Sequence, residues 1–143
     1  GLIRGRAVLY VYPYTGRPGV ADPPGWDAIF GAHGSTPQSL AYSERYPEFR
    51  RCGVKVFGLS NQTTAWQQEF VSRSRLPFPL LSDESGAFAR AVPLASFLAG
   101  EKHYYVRRTF LVENGEVLLD RQHVSPPAED AEVVLSEVKG RWP

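Results

Sequence analysis

Apolar positions along this chain fall into short blocks separated by Gly- and Pro-rich breaks, and the period changes from block to block. Ala7-Val-Leu-Tyr-Val-Tyr12 is a continuous, β-favouring run stopped by Pro13, which predicts a buried strand. Thr15 to Gly34 carries Gly16, Pro18, Gly19, Pro23, Pro24, Gly25 and Gly31, and predicts a long loop. Loops of that length in compact domains are usually functional or mobile. Ser35-Thr-Pro-Gln38 has the form of a helix start, with Ser35 as N-cap, Gln38 as its reciprocal partner and Pro37 in the first turn. That helix is expected to run to about Arg51 and end at Gly53, with a kink or break at Pro47.

Val54 to Leu59 predicts a second strand, and Ser60-Asn61 a cap for a helix from Thr63 to about Ser74 with Trp66 and Phe70 on one face. Leu76 to Leu81 is a short strand candidate pinned by Pro77 and Pro79. Asp83 is expected to cap a short helix through Phe88 and Ala91, and Val92 to Lys102 shows no clear period. Tyr104 to Glu113 and Glu116 to His123 predict two strands joined at Asn114-Gly115, the strongest short hairpin signal. Pro126-Pro127 open a last helix whose apolar face is Ala131, Val134, Leu135 and Val138. Alternating strands and helices closed by a hairpin predict an α/β fold: a mixed central β-sheet with helices on both faces. The pattern fits a thioredoxin-like fold and, taken alone, also a flavodoxin-like one. The latter needs a phosphate-cradling loop after the first strand, for which Thr15-Gly16-Arg17 is a thin match.

Composition narrows the function classes. The 143 residues suit one domain, 1–143, large enough to bury a core without disulfides or metals. A net charge of +1 gives no electrostatic reason to expect nucleic acid or an anionic membrane as partner. No apolar run is long enough to span a membrane, no signal-peptide pattern opens the sequence, and a cytoplasmic location is the default expectation. The chain contains no Met, so Gly1 is not taken as the biological start. Its single cysteine, Cys52, excludes an internal disulfide and a cysteine-based zinc site, and reads as a buried structural thiol. Cys52 lies about 24 Å from Ser35, at the other end of the predicted helix. His33, His103 and His123 are far apart with no carboxylate at metal-ligand spacing, so neither a metal nor another cofactor is expected. His33-Gly34-Ser35 lacks the Gly-x-Ser-x-Gly elbow of a serine hydrolase. Trp26, Tyr12, Tyr14 and Phe30 either pack the long loop over a pocket or fill the core.

Five segments, in order and at matching spacing, resemble one family. Leu9-Tyr-Val-Tyr-Pro13, Gly34-Ser-Thr-Pro-Gln-Ser-Leu40, Val56-Phe-Gly-Leu-Ser60, Leu76-Pro-Phe-Pro-Leu-Leu-Ser-Asp83 and Arg107-Arg-Thr-Phe-Leu-Val112 are similar to peroxiredoxins, most of all to the bacterioferritin comigratory protein branch. The resemblance implies a thioredoxin-like fold and reduction of hydrogen peroxide or organic hydroperoxides by a thiol. It places Ser35 where the family has its peroxidatic cysteine, Thr36 and Arg107 at the oxygen-binding positions, and Leu40 where this branch often has its resolving cysteine. The family's N-terminal hairpin is absent or cut away, and the Thr15 to Gly34 loop is longer than in the commonest members.

Peroxide reduction needs a thiolate, and a serine hydroxyl is barely ionised near neutrality. The chain as given is therefore expected to lack cysteine-type peroxidase activity, whether Ser35 arose by engineered replacement or by natural loss. An active parent would use an external reductant, thioredoxin-like or a small thiol, and would be a monomer or weak homodimer. The alternative from a different class is a catalytically dead member of the fold that acts as a binding or regulatory module.

Overall fold

The structure, a computed structural model, describes residues 4–143. The first three positions of the expected domain lie outside the described residues. Its strands are β1 (Arg6–Val11), β2 (Val54–Ser60), β3 (Leu80–Ser82), β4 (Ser96–Ala99), β5 (Lys102–Tyr105), β6 (Arg108–Glu113) and β7 (Glu116–Arg121). Its helices are α1 (Ser35–Arg51), α2 (Thr64–Ser74), α3 (Ala87–Ala91) and α4 (Asp130–Arg141), with short 3-10 turns at Trp26–Ala28 and Pro127–Glu129.

Five strands form one mixed sheet in the order β3-β2-β1-β6-β7. β1 pairs parallel with β2 and antiparallel with β6, so it lies at the centre and is buried on both faces. That position accounts for its unbroken apolar run, since a strand covered on both sides has no polar face to show. The connections β1 to β2 and β2 to β3 step in the same direction, and side chains of α1 and α2 share one core cluster, which places both helices on one face. Val8, Tyr10, Tyr42, Phe49, Phe70 and the α4 residues Ala131, Val134 and Val138 close the core there. Leu9, Val11, Leu59 and Phe110 occupy the other face, covered by Phe88 and Ala89 of the short α3. This is the thioredoxin-like arrangement, with the helices distributed unequally.

Asn114 and Gly115 both adopt positive φ, 51° and 83°, as a two-residue turn matched to the twist of β6 and β7 requires. Arg75 ends α2 in the left-handed region. Asp83 does hold the start of α3, accepting from the N–H groups of Phe88 (2.8 Å) and Ala89 (3.0 Å).

Several local expectations are corrected. Of the kink or break expected at Pro47, the break does not occur, since α1 is helical on both sides of it. Pro47 is exposed, so the carbonyl it leaves without a partner can be hydrated and the helix survives. Thr63, not Ser60-Asn61, caps α2, its Oγ1 accepting from Trp66 N, because Ser60 is still paired within β2. The strand expected over Leu76 to Leu81 shrinks to β3, since Pro77 and Pro79 cannot donate to a ladder. The patternless Val92 to Lys102 segment supplies β4, which pairs with β5 in a separate two-stranded sheet. The run Tyr104 to Glu113 is therefore not one strand. It breaks between β5 and β6, and Arg107 lies in the break. Cys52 is half-buried against the core edge rather than buried.

Burial holds the phenols of Tyr10, Tyr12 and Tyr42 well above the ordinary tyrosine range; around Tyr42 the Asp130 charge adds to the effect. A pKa raised in the folded state contributes stability that is complete below the unfolded value, about 10, and is lost as pH climbs past it. Absorbance titration at 295 nm should therefore show these three of the seven tyrosines ionising only together with unfolding. Reversible titration of all seven near pH 10 in a folded protein would contradict this.

Candidate active site

Three elements converge at the N-terminus of α1. Gly34 enters the helix with φ 113°, a region side chains rarely adopt, and a Cβ there would lie 2.8 Å from Pro127 Cγ. The left-handed turn at Gly34 makes that residue the N-cap and Ser35 the first helical residue. The expected capping box is absent: Gln38 does not reach back along the helix, because its amide is engaged in the interior.

Ser35 is 2% exposed and Arg107 5%. Arg107 Nη1 donates to Ser35 Oγ (3.0 Å) and to Gln38 Oε1 (2.7 Å). Nη2 donates to the carbonyls of Ala32 (3.2 Å) and His33 (2.9 Å). One guanidinium thus ties the end of the long loop to the first turn of α1. The bend between β5 and β6 is what lets Arg107 turn inward. Its neighbour Arg108 starts β6 and forms a two-point pair with Asp120 (2.8 and 2.6 Å). Burial pulls the Arg107 guanidinium down to about 10, against the opposing pull of the Asp130 charge.

Behind Gln38 lies a fully buried carboxylate. Asp130 Oδ2 accepts from Gln38 Nε2 (3.2 Å), Tyr42 OH (2.7 Å) and Thr109 Oγ1 (2.7 Å), and Oδ1 accepts from Arg121 Nε (2.9 Å). Its donors come from α1, β6 and β7, so this one side chain on α4 locks the helix carrying Ser35 to the sheet. Sequence reading missed it. An Asp opening a helix after two prolines looks like an ordinary N-terminal acid, and nothing local shows that it is buried.

The sequence-predicted site residues are distributed as follows. Ser35 and Arg107 touch, and Thr36 is half-buried beside them on the floor of a cleft of about 380 Å³. Tyr14 and Trp26 line that cleft, with Trp26 held in an aromatic cluster by Tyr104 and Phe97. Tyr12 belongs to the main core instead, and Phe30 is 94% exposed. Leu40 is 44% exposed. Cys52 caps the far end of α1. No general base serves Ser35: its one side-chain partner among the described residues is a guanidinium, and His33 Nε2 is paired with Asp27. His33, Asp22 and Asp27, all exposed, bring ligand-type atoms within 4.8 Å of one another, a grouping that sequence spacing did not show.

Residues 31–120 match the profile of the AhpC/TSA family. The chain is 30% identical over 110 residues to the chloroplastic peroxiredoxin Q of Arabidopsis thaliana, covering 74% of this chain and 44% of that protein. It is 27% identical over 112 residues to peroxiredoxin Bcp of Xanthomonas campestris, covering 78% of this chain and 58% of that protein. The chain thus spans about half the length of these relatives. Among solved structures, the Xanthomonas campestris bacterioferritin comigratory protein, described for alkyl peroxide reduction, superposes with a TM-score of 0.76 at 26% identity, over 97% of this chain and 81% of that one.

Proposed function

The chain belongs to the AhpC/TSA family, and on that footing we propose that its site is a thiol peroxidase site whose nucleophile position is held by Ser35. The observation that carries this is the 3.0 Å contact between Arg107 Nη1 and Ser35 Oγ at the first turn of a 17-residue helix. A helix N-terminus and a buried guanidinium both favour a negative charge at that atom, as a reactive thiolate needs. A cysteine sulfur at position 35 would attack one peroxide oxygen. The O–O bond breaks, sulfur becomes a sulfenic acid, and the leaving oxygen takes up a proton as water or alcohol. Thr36 and Arg107 would orient the peroxide. Leu40 cannot resolve the sulfenic acid, and Cys52 is a helix length away. An external thiol, thioredoxin-like or small, would therefore reduce the sulfenic acid through a mixed disulfide.

With serine the first step fails, because a hydroxyl facing a guanidinium has no group to take its proton. The protein as given is thus inactive as a peroxidase. The proposed setting is a single domain acting as a monomer or weak homodimer in the cytoplasm. Among the described residues no helix is long and apolar enough to cross a membrane. The plant relatives are described as chloroplastic.

The direct test is single-turnover chemistry. Ser35→Cys treated with one equivalent of hydrogen peroxide should yield a dimedone adduct at residue 35 by mass spectrometry, and the serine chain none there. A folded Ser35→Cys protein that forms no adduct removes the reading.

A further inference from the structure

The Asp130 side chain accepts four hydrogen bonds and gives none, as an ionised carboxyl group must. Gln38 Nε2, Tyr42 OH and Thr109 Oγ1 all reach Oδ2, while Arg121 Nε holds Oδ1. Asp130, Gln38, Tyr42 and Thr109 are each 0% exposed, so these bonds do not compete with bulk water. Tyr42, Thr109 and Arg121 already join α4 to α1 and the sheet. Gln38 does something further, because it alone among the four donors passes the connection on to Arg107, whose Nη1 donates to Gln38 Oε1.

A side-chain amide has a donor end and an acceptor end of nearly the same shape, so sterics do not decide which way it points. The neighbours decide it here. A carboxylate only accepts and a guanidinium only donates. Nε2 therefore faces Asp130 at 3.2 Å and Oε1 faces Arg107 at 2.7 Å. Turned over, the amide would set oxygen against the carboxylate and N–H against the guanidinium, and lose both bonds. The 2.7 Å contact is the shortest that Arg107 makes, and the same Nη1 donates to Ser35 Oγ at 3.0 Å. The Arg107 Nε–H has no acceptor among the described residues, so hydrogen bonds fix this guanidinium through its Nη atoms alone.

We infer that Asp130 is a positioning residue for this site: by fixing the polarity of the Gln38 amide, it aims Arg107 at residue 35. Its bearing on peroxide chemistry rests on the proposed function, in which residue 35 and Arg107 are the reacting site. Asp130 touches neither of them and acts through Gln38. The consequence is sharpest for Asp130→Asn, which keeps the shape of the side chain. The new amide has one oxygen, and Arg121, a charged donor, claims it at the Oδ1 position. The amino group then lies where Oδ2 was, against Gln38 Nε2. Gln38 must turn over, and Arg107 meets a donor in place of its closest acceptor. Gln38→Glu repairs this pairing, since a carboxylate at position 38 accepts from the new amino group and from Arg107 together.

The test reads Arg107 first and the chemistry second. In ¹⁵N NMR spectra of the serine chain, a guanidinium held at both Nη atoms rotates slowly about Nε–Cζ, and Arg107 should show separate Nη signals. Asp130→Asn should merge them, and Asp130→Asn combined with Gln38→Glu should separate them again. In the Ser35→Cys background, Asp130→Asn should lower kcat/KM for hydrogen peroxide by about tenfold to a hundredfold, the scale of a small misplacement. Adding Gln38→Glu should recover most of that loss, whereas Gln38→Glu alone sets two carboxylates against each other and should perform worse than the double variant. A purely structural Asp130 would show no such rescue. Separate Arg107 signals retained in a folded Asp130→Asn protein, or a lost rate that Gln38→Glu leaves unrecovered, would overturn the inference. Where Asp130→Asn alone does not fold, the double variant decides: separate Arg107 signals support the inference and merged ones overturn it. Failure here is separable from failure of the functional reading. A reactive Ser35→Cys protein whose Arg107 ignores Asp130→Asn sinks only the positioning role. Signals that merge and return beside an unreactive, folded Ser35→Cys protein sink the peroxidase assignment and leave Asp130 as the residue that aims Arg107.

Discussion

With excess dithiol, Ser35→Cys should consume hydrogen peroxide continuously, while the serine chain consumes none above buffer. On the proposed reading, serine in place of sulfur is what stops the reaction. Residue 35, the proposed nucleophile position, is shielded, at the first turn of α1, and in contact with Arg107. An ordinary cysteine with a pKa of about 8.5 is only a few per cent thiolate at pH 7, and the site acts on that fraction as well as on the transition state. Prearranged donors of this kind are worth about 10²–10³ in rate. Arg107→Gln in the Ser35→Cys background should therefore cut kcat/KM by about that factor, and Arg107→Lys should recover little, because one ammonium cannot reach Ser35, Gln38 and two loop carbonyls together. Coupled-assay rates for the three proteins decide this. Equal rates with and without Arg107 would show that the contact is structural only.

Asp130→Ala should be the most damaging single substitution to stability, at about 3–5 kcal/mol, the cost of removing one partner from a buried charged network. It strands Arg121 and leaves Gln38, Tyr42 and Thr109 without the acceptor they share. Against a typical total of about 5–15 kcal/mol, that loss removes a large share of the stability. Asp130→Asn keeps the shape and one acceptor oxygen, and should cost clearly less. Urea unfolding of both variants provides the comparison, and a loss below about 1 kcal/mol for Asp130→Ala would show that the network is not what joins α4 to α1.

The elements with strong local signatures were readable from the chain: the apolar run of β1, the Asn114-Gly115 hairpin and the apolar stripe of α4 each follow from a period or a turn dipeptide. The failures share one cause, which is that tertiary partners overrode local chemistry. Ser35 and Gln38 satisfy the rules for a capping box, yet Pro127 against Gly34 and the reach of Arg107 and Asp130 put both side chains to other uses. The β-favouring run through Tyr104 to Glu113 hides a break, because β5 finds its partner in β4, a segment with no strand signature. The Ser35–Arg107 pairing, 72 residues apart, entered the sequence reading only through resemblance to a family. Asp130, which holds the site together, carried no signal at all, since burial of a carboxylate is visible only in three dimensions.

The measurement closest to the central claim is the pKa of the thiol in Ser35→Cys, followed by thiolate absorbance at 240 nm in a Cys52→Ser background so that a single sulfur reports. A value well below the ordinary 8.5 or so is the expected result, since Arg107 and the first turn of α1 stabilise the charged form. A value at or above it would mean that burial outweighs both, and that position 35 is not a nucleophile site awaiting its sulfur.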